Sequence, residues 1–166
     1  MKTSLSAVVP LGPAHRVAGF ACGERDIDQF PHERAAIEQK LRLSQVYVST
    51  DLQGEVLAYF TLSPITVRVE PALLTTLGAD SVPYPAIGGF LLGRLGVQRT
   101  LQHQGVGEAL VMRAAQIAKA EAEVVGGVFL AVDPKTDRLL EWYAKQEFVR
   151  LGTRTRRMIL PLRAVP

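Results

Sequence analysis

Two periods of apolar residues take turns along the chain. Ser4 to Pro10 reads as a short first strand, and Asp26 to about Leu41 as a helix with Ile27, Phe30, Ile37 and Leu41 as its apolar contacts. Pro31 should interrupt or restart that helix, because it lacks an N–H and its ring clashes with the preceding turn. Val46 and Val48 are spaced by two within Gln45 to Thr50, Asp51-Leu52-Gln53-Gly54 is a turn, and Glu55 to Ser63 returns. Gln45 to Ser63 is therefore predicted to be a hairpin, stopped at Pro64. Thr66 to Val69 is predicted to be a short strand and Pro71 to Leu77 a short helix. Gly78 to Gly89, with Pro83 and Pro85, reads as a loop, and a loop this long is often functional.

The second half repeats a simpler alternation. Phe90 to Val97 is an apolar run suited to a central strand. Gly105 to about Glu123 is a long helix with Val106, Ala109, Leu110, Ala114, Ile117 and Ala118 at helical spacing. Gly127 to Val132 is another buried strand, and Thr136 to Gln146 a helix on which Leu139, Leu140 and Tyr143 share a face. Phe148 to Leu162 reads as a strand pair turning near Gly152. The order predicts a mixed α/β fold with an antiparallel hairpin first and strand–helix–strand–helix later. Phe90 to Val132 has the form of a parallel crossover unit.

Composition narrows the class. A chain of 166 residues, 48% hydrophobic and 21% charged, suits one globular domain with one core. The single cysteine, Cys22, permits neither an internal disulfide nor a thiolate zinc cluster, and reads as a small, partly buried apolar residue; no metal site is expected. The N-terminal residues have no signal-peptide pattern, and no stretch approaches the ~18 apolar residues of a membrane span, so a cytoplasmic protein with no membrane partner is expected. Net charge is +3, and Arg150, Arg154, Arg156, Arg157 and Arg163 cluster in a tail without acidic residues. Such clustering suits a phosphate-facing surface. It equally suits a charged edge strand, and that reading is preferred here.

The chemistry is concentrated between Leu92 and Glu108. The strand Leu92-Gly93-Arg94-Leu95-Gly96-Val97 runs through Gln98 to Leu101 into Gln102-His103-Gln104-Gly105-Val106-Gly107-Glu108, where a helix starts. The first turn of a helix leaves its amides unpaired, its dipole adds partial positive charge, and glycines at 105 and 107 let a phosphate approach the backbone. The segment can therefore cradle a pyrophosphate. It lacks the third glycine of a dinucleotide fingerprint and the Lys-Ser/Thr of a P-loop, which argues against NAD and ATP.

Gln102-x-x-Gly105-x-Gly107 resembles the Gln/Arg-x-x-Gly-x-Gly/Ala signature of the GNAT acetyltransferases, and stands where that family has it, between central strand and long helix. Trp142-Tyr143-Ala144-Lys145-Gln146-Glu147-Phe148 is similar to the family's Phe-Tyr-x-x-x-Gly-Phe segment. A closer resemblance is to the GNAT toxins of bacterial toxin–antitoxin pairs. It rests on Cys22-Gly23, Tyr59-Phe60-Thr61-Leu62-Ser63, Leu92 to Val97, and Arg157-Met158-Ile159-Leu160-Pro161-Leu162. In two places the chain departs from the pattern. Gly96 replaces the usual Ala, and Glu147 stands where the family has Gly; a left-handed turn there would cost a non-glycine residue roughly 1 kcal/mol, which puts in question the turn that carries Tyr143.

The resemblance implies the GNAT fold, an α/β (α+β) architecture with a mixed central sheet of about six or seven strands flanked by helices, over a single domain spanning residues 1–166. It implies acetyl-CoA as cofactor, held by Leu95, Gly96, Val97, Gln102, His103, Gln104, Gly105, Val106, Gly107 and Glu108. It further implies that backbone amides near Leu95 to Val97 polarise the thioester and that Tyr143 is the general acid for the departing thiolate. Arg94 either faces the acceptor or pairs within the core region. The toxin likeness implies aminoacyl-tRNA as acceptor, a small DNA-binding antitoxin as partner, and a homodimer. No strong base is evident; an α-amine, with a pKa of about 7.7–8.0, needs less help than a lysine at about 10.4. Two other readings stay open: a GNAT enzyme acting on a small amine, polyamine or protein N-terminus, and a non-catalytic acyl-CoA-binding module.

Overall fold

The computed structural model describes residues 4–68, 70–79 and 81–166, so Val69 of the predicted short strand Thr66 to Val69 and Asp80 of the predicted loop lie outside the described residues. The described residues form a seven-stranded mixed sheet in the order β1-β2-β3-β4-β5-β7-β6. It divides into two compact units, Met1–Ser63 with Gly93–Arg113, and Pro64–Leu92 with Ala114–Pro166. Strands β3 (Val56–Arg68) and β4 (Ala86–Val97) and helix α4 (Val106–Val125) each contribute to both.

In the first unit, β1 (Val9–Pro10) and β2 (Gln45–Thr50) pair antiparallel, and β2 pairs antiparallel with β3 in the register Val48↔Tyr59, with an irregularity at Ser49/Thr50. The first strand is shorter than predicted, although Ser6 continues toward it by donating its amide to the Thr50 carbonyl. Helices α1 (Arg25–Glu33) and α2 (Ala35–Lys40) cover a core of Phe20, Phe30, Ala35, Val46, Val48, Val56 and Tyr59.

Pro31 lies inside α1 rather than ending it. A proline leaves the carbonyl four residues back without its helical donor, and here the Tyr59 hydroxyl donates to that carbonyl, of Ile27, at 2.7 Å. The break comes at Arg34 (φ −131°, ψ −22°), and it resets the helical phase. Ile37 and Leu41, expected inside, are 59% and 63% exposed. Gln39 faces inward instead, its amide donating to the Leu11 carbonyl at 2.7 Å and its oxygen accepting the Val46 amide at 3.0 Å.

The hairpin pairing ends before Pro64 as predicted, its last pair being Gln45↔Leu62, but the strand itself does not: β3 continues to Arg68, beyond β2, where a missing donor on that edge is tolerated. In the second unit, α3 (Pro71–Thr76) starts on its proline as predicted. The following loop ends earlier than predicted, because Gly88 and Gly89 belong to β4; a Cβ on Gly89 would stand 2.6 Å from the Phe129 ring. Strand β4 pairs parallel with β5 (Phe129–Val132) at Phe90↔Leu130 and Leu91↔Ala131, the crossover connection passing through α4. Helix α5 (Asp137–Ala144) starts on Thr136, whose hydroxyl accepts the Leu139 amide at 3.2 Å. Strand β7 (Met158–Pro161) pairs antiparallel with β5 and with β6 (Val149–Arg150). Val67, Leu74, Leu77, Ile87, Phe129, Ala131 and Ile159 form this unit's core. No helix among the described residues is long and apolar enough to cross a membrane.

Candidate active site

The predicted cradle is assembled within the first unit. Strand β5 ends at Val132, one residue past its last pairing with β4, whereas β4 runs on to Val97. The Gln98 amide donates to the Leu57 carbonyl of β3 at 2.8 Å. The carbonyl of the same peptide, that of Val97, points the opposite way and accepts from Gln102 at 3.0 Å. A Cβ on Gly96 would lie 2.7 Å from Ile27, 2.8 Å from Phe20 and 3.0 Å from Tyr59, which is why the usual alanine is absent.

Beyond β4, one turn of 3-10 helix (Arg99–Leu101) buries Leu101 and leads into the loop. His103 and Gly105 both have positive φ, 60° and 82°. A Cβ on Gly105 would meet no atom within 4 Å, so the space above this backbone is open. The first i→i−4 bond of α4 is Ala109 to Gly105, at 3.1 Å, and the amides of Val106, Gly107 and Glu108 precede it with no carbonyl of the helix to receive them. A left-handed glycine, open space and the start of a 20-residue helix together fit an anionic diphosphate. His103 and Gln104 are exposed on this loop, Gln104 donating to the Thr100 carbonyl at 3.1 Å.

Gln102 has a different place from the one expected of a ligand-binding side chain. Its Nε2 donates to the carbonyls of Cys22 (2.7 Å) and Val97 (3.0 Å). The segment before α1 is bound to the same loop by the Arg99 amide, donating to Ala21 at 2.9 Å, and by the Ala21 amide, donating to the Gln98 side chain at 2.9 Å. Cys22 is half-buried, and burial, then the neighbouring Asp28 carboxylate, push its thiol up to about 11. It is a structural residue, as read from the sequence. Asp28 and Gln98 were not singled out, since their partners are backbone groups, which every residue carries.

Arg94 pairs within its own unit. Its guanidinium lies 4.0 Å from the Phe30 ring centroid and 3.8 Å from a Glu38 carboxylate oxygen. Of the two roles open to it, the structure shows this one.

Tyr143 belongs to the second unit. Its ring is buried and meets Trp142 and Phe148 edge to face, at centroid distances of 4.8 and 5.2 Å. Burial raises its hydroxyl well above the ordinary phenol range. No side-chain polar atom among the described residues is sealed from solvent without a partner. Glu147 adopts φ +72°, and the amides of Gln146 and Phe148 both donate to the Tyr143 carbonyl, at 2.9 and 3.3 Å. The left-handed turn is thus kept in spite of the glutamate.

The tail arginines are largely engaged. Arg157 grips Asp133 with two bonds of 2.7 and 2.8 Å, Arg156 reaches Asp137 at 2.6 Å, and Arg150 donates to the Thr155 carbonyl at 2.7 Å. Arg163 donates to the Thr76 carbonyl. Arg157 and Asp133, with Arg68, Glu70, Thr66 and Thr155, border a cleft of about 360 Å³ in the second unit. No group of acidic, histidine and cysteine side chains able to hold a metal occurs among the described residues.

A mixed sheet whose central strand outruns its parallel neighbour, followed by a glycine-opened helix start, defines a GNAT-type acyltransferase site. The acetyltransferase (GNAT) family matches residues 21–148, and the chain belongs to that family of acetyl-CoA-dependent N-acetyltransferases. Among solved structures, it is similar to AtaT complexed with acetyl-methionyl-tRNAfMet, at 24% identity over 98% of this chain and 97% of that one, with a TM-score of 0.87. A tyrosine-to-phenylalanine mutant of KacT matches at 22% identity over 97% and 96%, with a TM-score of 0.86. AtaTR bound with acetyl-CoA matches at 24% over 99% and 97%, with a TM-score of 0.83.

Proposed function

We propose that the chain transfers acetyl to the α-amine of aminoacyl-tRNA, as a toxin restrained by a small DNA-binding antitoxin. The observation that carries this reading is the likeness, over nearly the whole of both chains, to AtaT in its complex with acetyl-methionyl-tRNAfMet. Structures of the same fold with the C-terminus of the antitoxin AtaR and on DNA support the partner. Bound acetyl-CoA supplies the activated acetyl group. Backbone amides near Leu95 to Val97 accept the negative charge that develops on an acyl oxygen. The amides of Val106, Gly107 and Glu108 receive phosphate, with Gly105 leaving room and His103 and Gln104 at the rim. Tyr143 stays protonated throughout the physiological range and holds its proton for a departing thiolate.

The test is transfer of labelled acetyl from acetyl-CoA to a mixture of charged tRNAs. Label should appear on the aminoacyl group, and Tyr143→Phe should lower the rate by about 10²- to 10⁴-fold. A wild-type protein that binds acetyl-CoA but labels only small amines or protein N-termini, or labels no amine at all, would overturn the tRNA assignment.

A further inference from the structure

We infer that Asp28, in the first turn of α1, is a positioning residue for the acetyl-CoA site, acting through the Cys22–Gly23 peptide and Gln102. The inference rests on the assignment of the 98–105 loop to the cofactor. The Asp28 carboxylate accepts the amide of Cys22 at 2.6 Å and that of Gly23 at 3.2 Å. Burial works against its charge, but these amide bonds and the Arg99 charge outweigh it and hold the carboxyl below its ordinary range. Asp28 is itself fixed by its own amide, which donates to the Glu24 carbonyl at 2.8 Å.

The Gly23 N–H and the Cys22 C=O are the two ends of one peptide group. One end faces the carboxylate, and the other accepts Gln102 Nε2 at 2.7 Å. A peptide whose N–H meets an anion has a more negative oxygen, so the bond to Gln102 is strengthened cooperatively. Gln102 uses the same nitrogen to hold the Val97 carbonyl at 3.0 Å. Fixing that carbonyl fixes the plane of the Val97–Gln98 peptide, at the end of the strand whose amides are proposed to meet the thioester. Gly23 is needed for the geometry: its φ is +101°, and a Cβ would lie 2.8 Å from the Arg99 guanidinium. The path Asp28, Cys22–Gly23 peptide, Gln102, Val97 therefore ties the start of α1 to the end of β4, and all of it lies in the first unit.

The experiment is a double-mutant cycle read by calorimetric titration with acetyl-CoA, at a temperature where each variant is folded. Asp28→Ala and Gln102→Ala should each raise the Kd by about 5- to 30-fold, and the double variant should be within about twofold of the weaker single, because both act through one peptide. Asp28→Asn, which keeps one acceptor oxygen, should fall in between and carries the comparison if the alanine variant does not fold. In the transfer assay the loss should appear in KM for acetyl-CoA rather than in kcat. Folded Asp28 variants that bind within twofold of wild type, or losses that add in the double variant, would overturn the inference while leaving the cofactor assignment standing. A wild-type protein that does not bind acetyl-CoA would instead overturn the assignment beneath it.

Discussion

Glu147 illustrates what a single position can hide. Its carboxylate side chain stands where glycine is usual, yet the backbone keeps φ at +72° and Tyr143 keeps the turn that follows its helix. The left-handed conformation costs a side-chain-bearing residue on the order of 1 kcal/mol, so Glu147→Gly should raise stability by about that much. For a chain of this size, this is a rise of a few degrees in Tm by calorimetry; an unchanged or lower Tm would mean that the glutamate side chain contributes as much as the strain removes. Legibility at this scale depended on the kind of partner. Gln102, Gly105 and Gly107 stood out because their spacing marks a strand-to-helix turn. The work of Gln102 did not, since it binds two carbonyls, one of them eighty positions earlier. Asp28 gave no signal at all, because it answers to backbone amides, which every residue carries. Arg94 had two open roles, and its contacts with Phe30 and Glu38 are those of the pairing role.

Among the elements, the helices and the later strands were legible wherever apolar spacing persisted for a few turns or a full strand. Failures occurred where a proline or a backbone break needed a distant partner to be understood. Pro31 was expected to interrupt its helix, and it does not because Tyr59, from β3, supplies a donor to the freed Ile27 carbonyl. Tyr59→Phe should therefore destabilise the protein by about 1–3 kcal/mol in urea unfolding, the cost of a buried carbonyl left unpaired. Adding Pro31→Ala, which restores a helical N–H, should recover part of that loss. If the two changes simply add as separate losses, the tyrosine hydroxyl is not standing in for the missing amide. The exposure of Ile37 and Leu41 has a related cause: a periodicity read across Arg34 assumes one unbroken helix, and the break turns Gln39 inward in their place.

For the molecule as a whole, the mixed sheet and its parallel crossover were readable from the alternation of elements, and the seven strands match the upper of the two expected numbers. The splitting of β4 between two units was not, because no composition change marks Leu92. The proposed reaction implies a pH profile. On that reading Tyr143, buried and with its hydroxyl raised above the ordinary phenol range, stays protonated, while an α-amine acceptor becomes reactive as it loses its proton. The rate kcat/KM should thus climb with pH through about 7–8.5 and then hold a plateau to about pH 10. A falling limb below about pH 9, present in the wild type and absent from Tyr143→Phe, would mean that the tyrosine titrates far lower than its burial allows.

Neither unit is a continuous stretch of chain. The first takes Met1–Ser63 and then Gly93–Arg113, the second the intervening Pro64–Leu92 and then Ala114–Pro166. A gene cut at any one point therefore yields no fragment that contains one unit whole and nothing of the other. Separating the cradle from the half that carries Tyr143 would require rejoining the chain in a new order, with new connections across the points where β3, β4 and α4 now pass from one unit to the next.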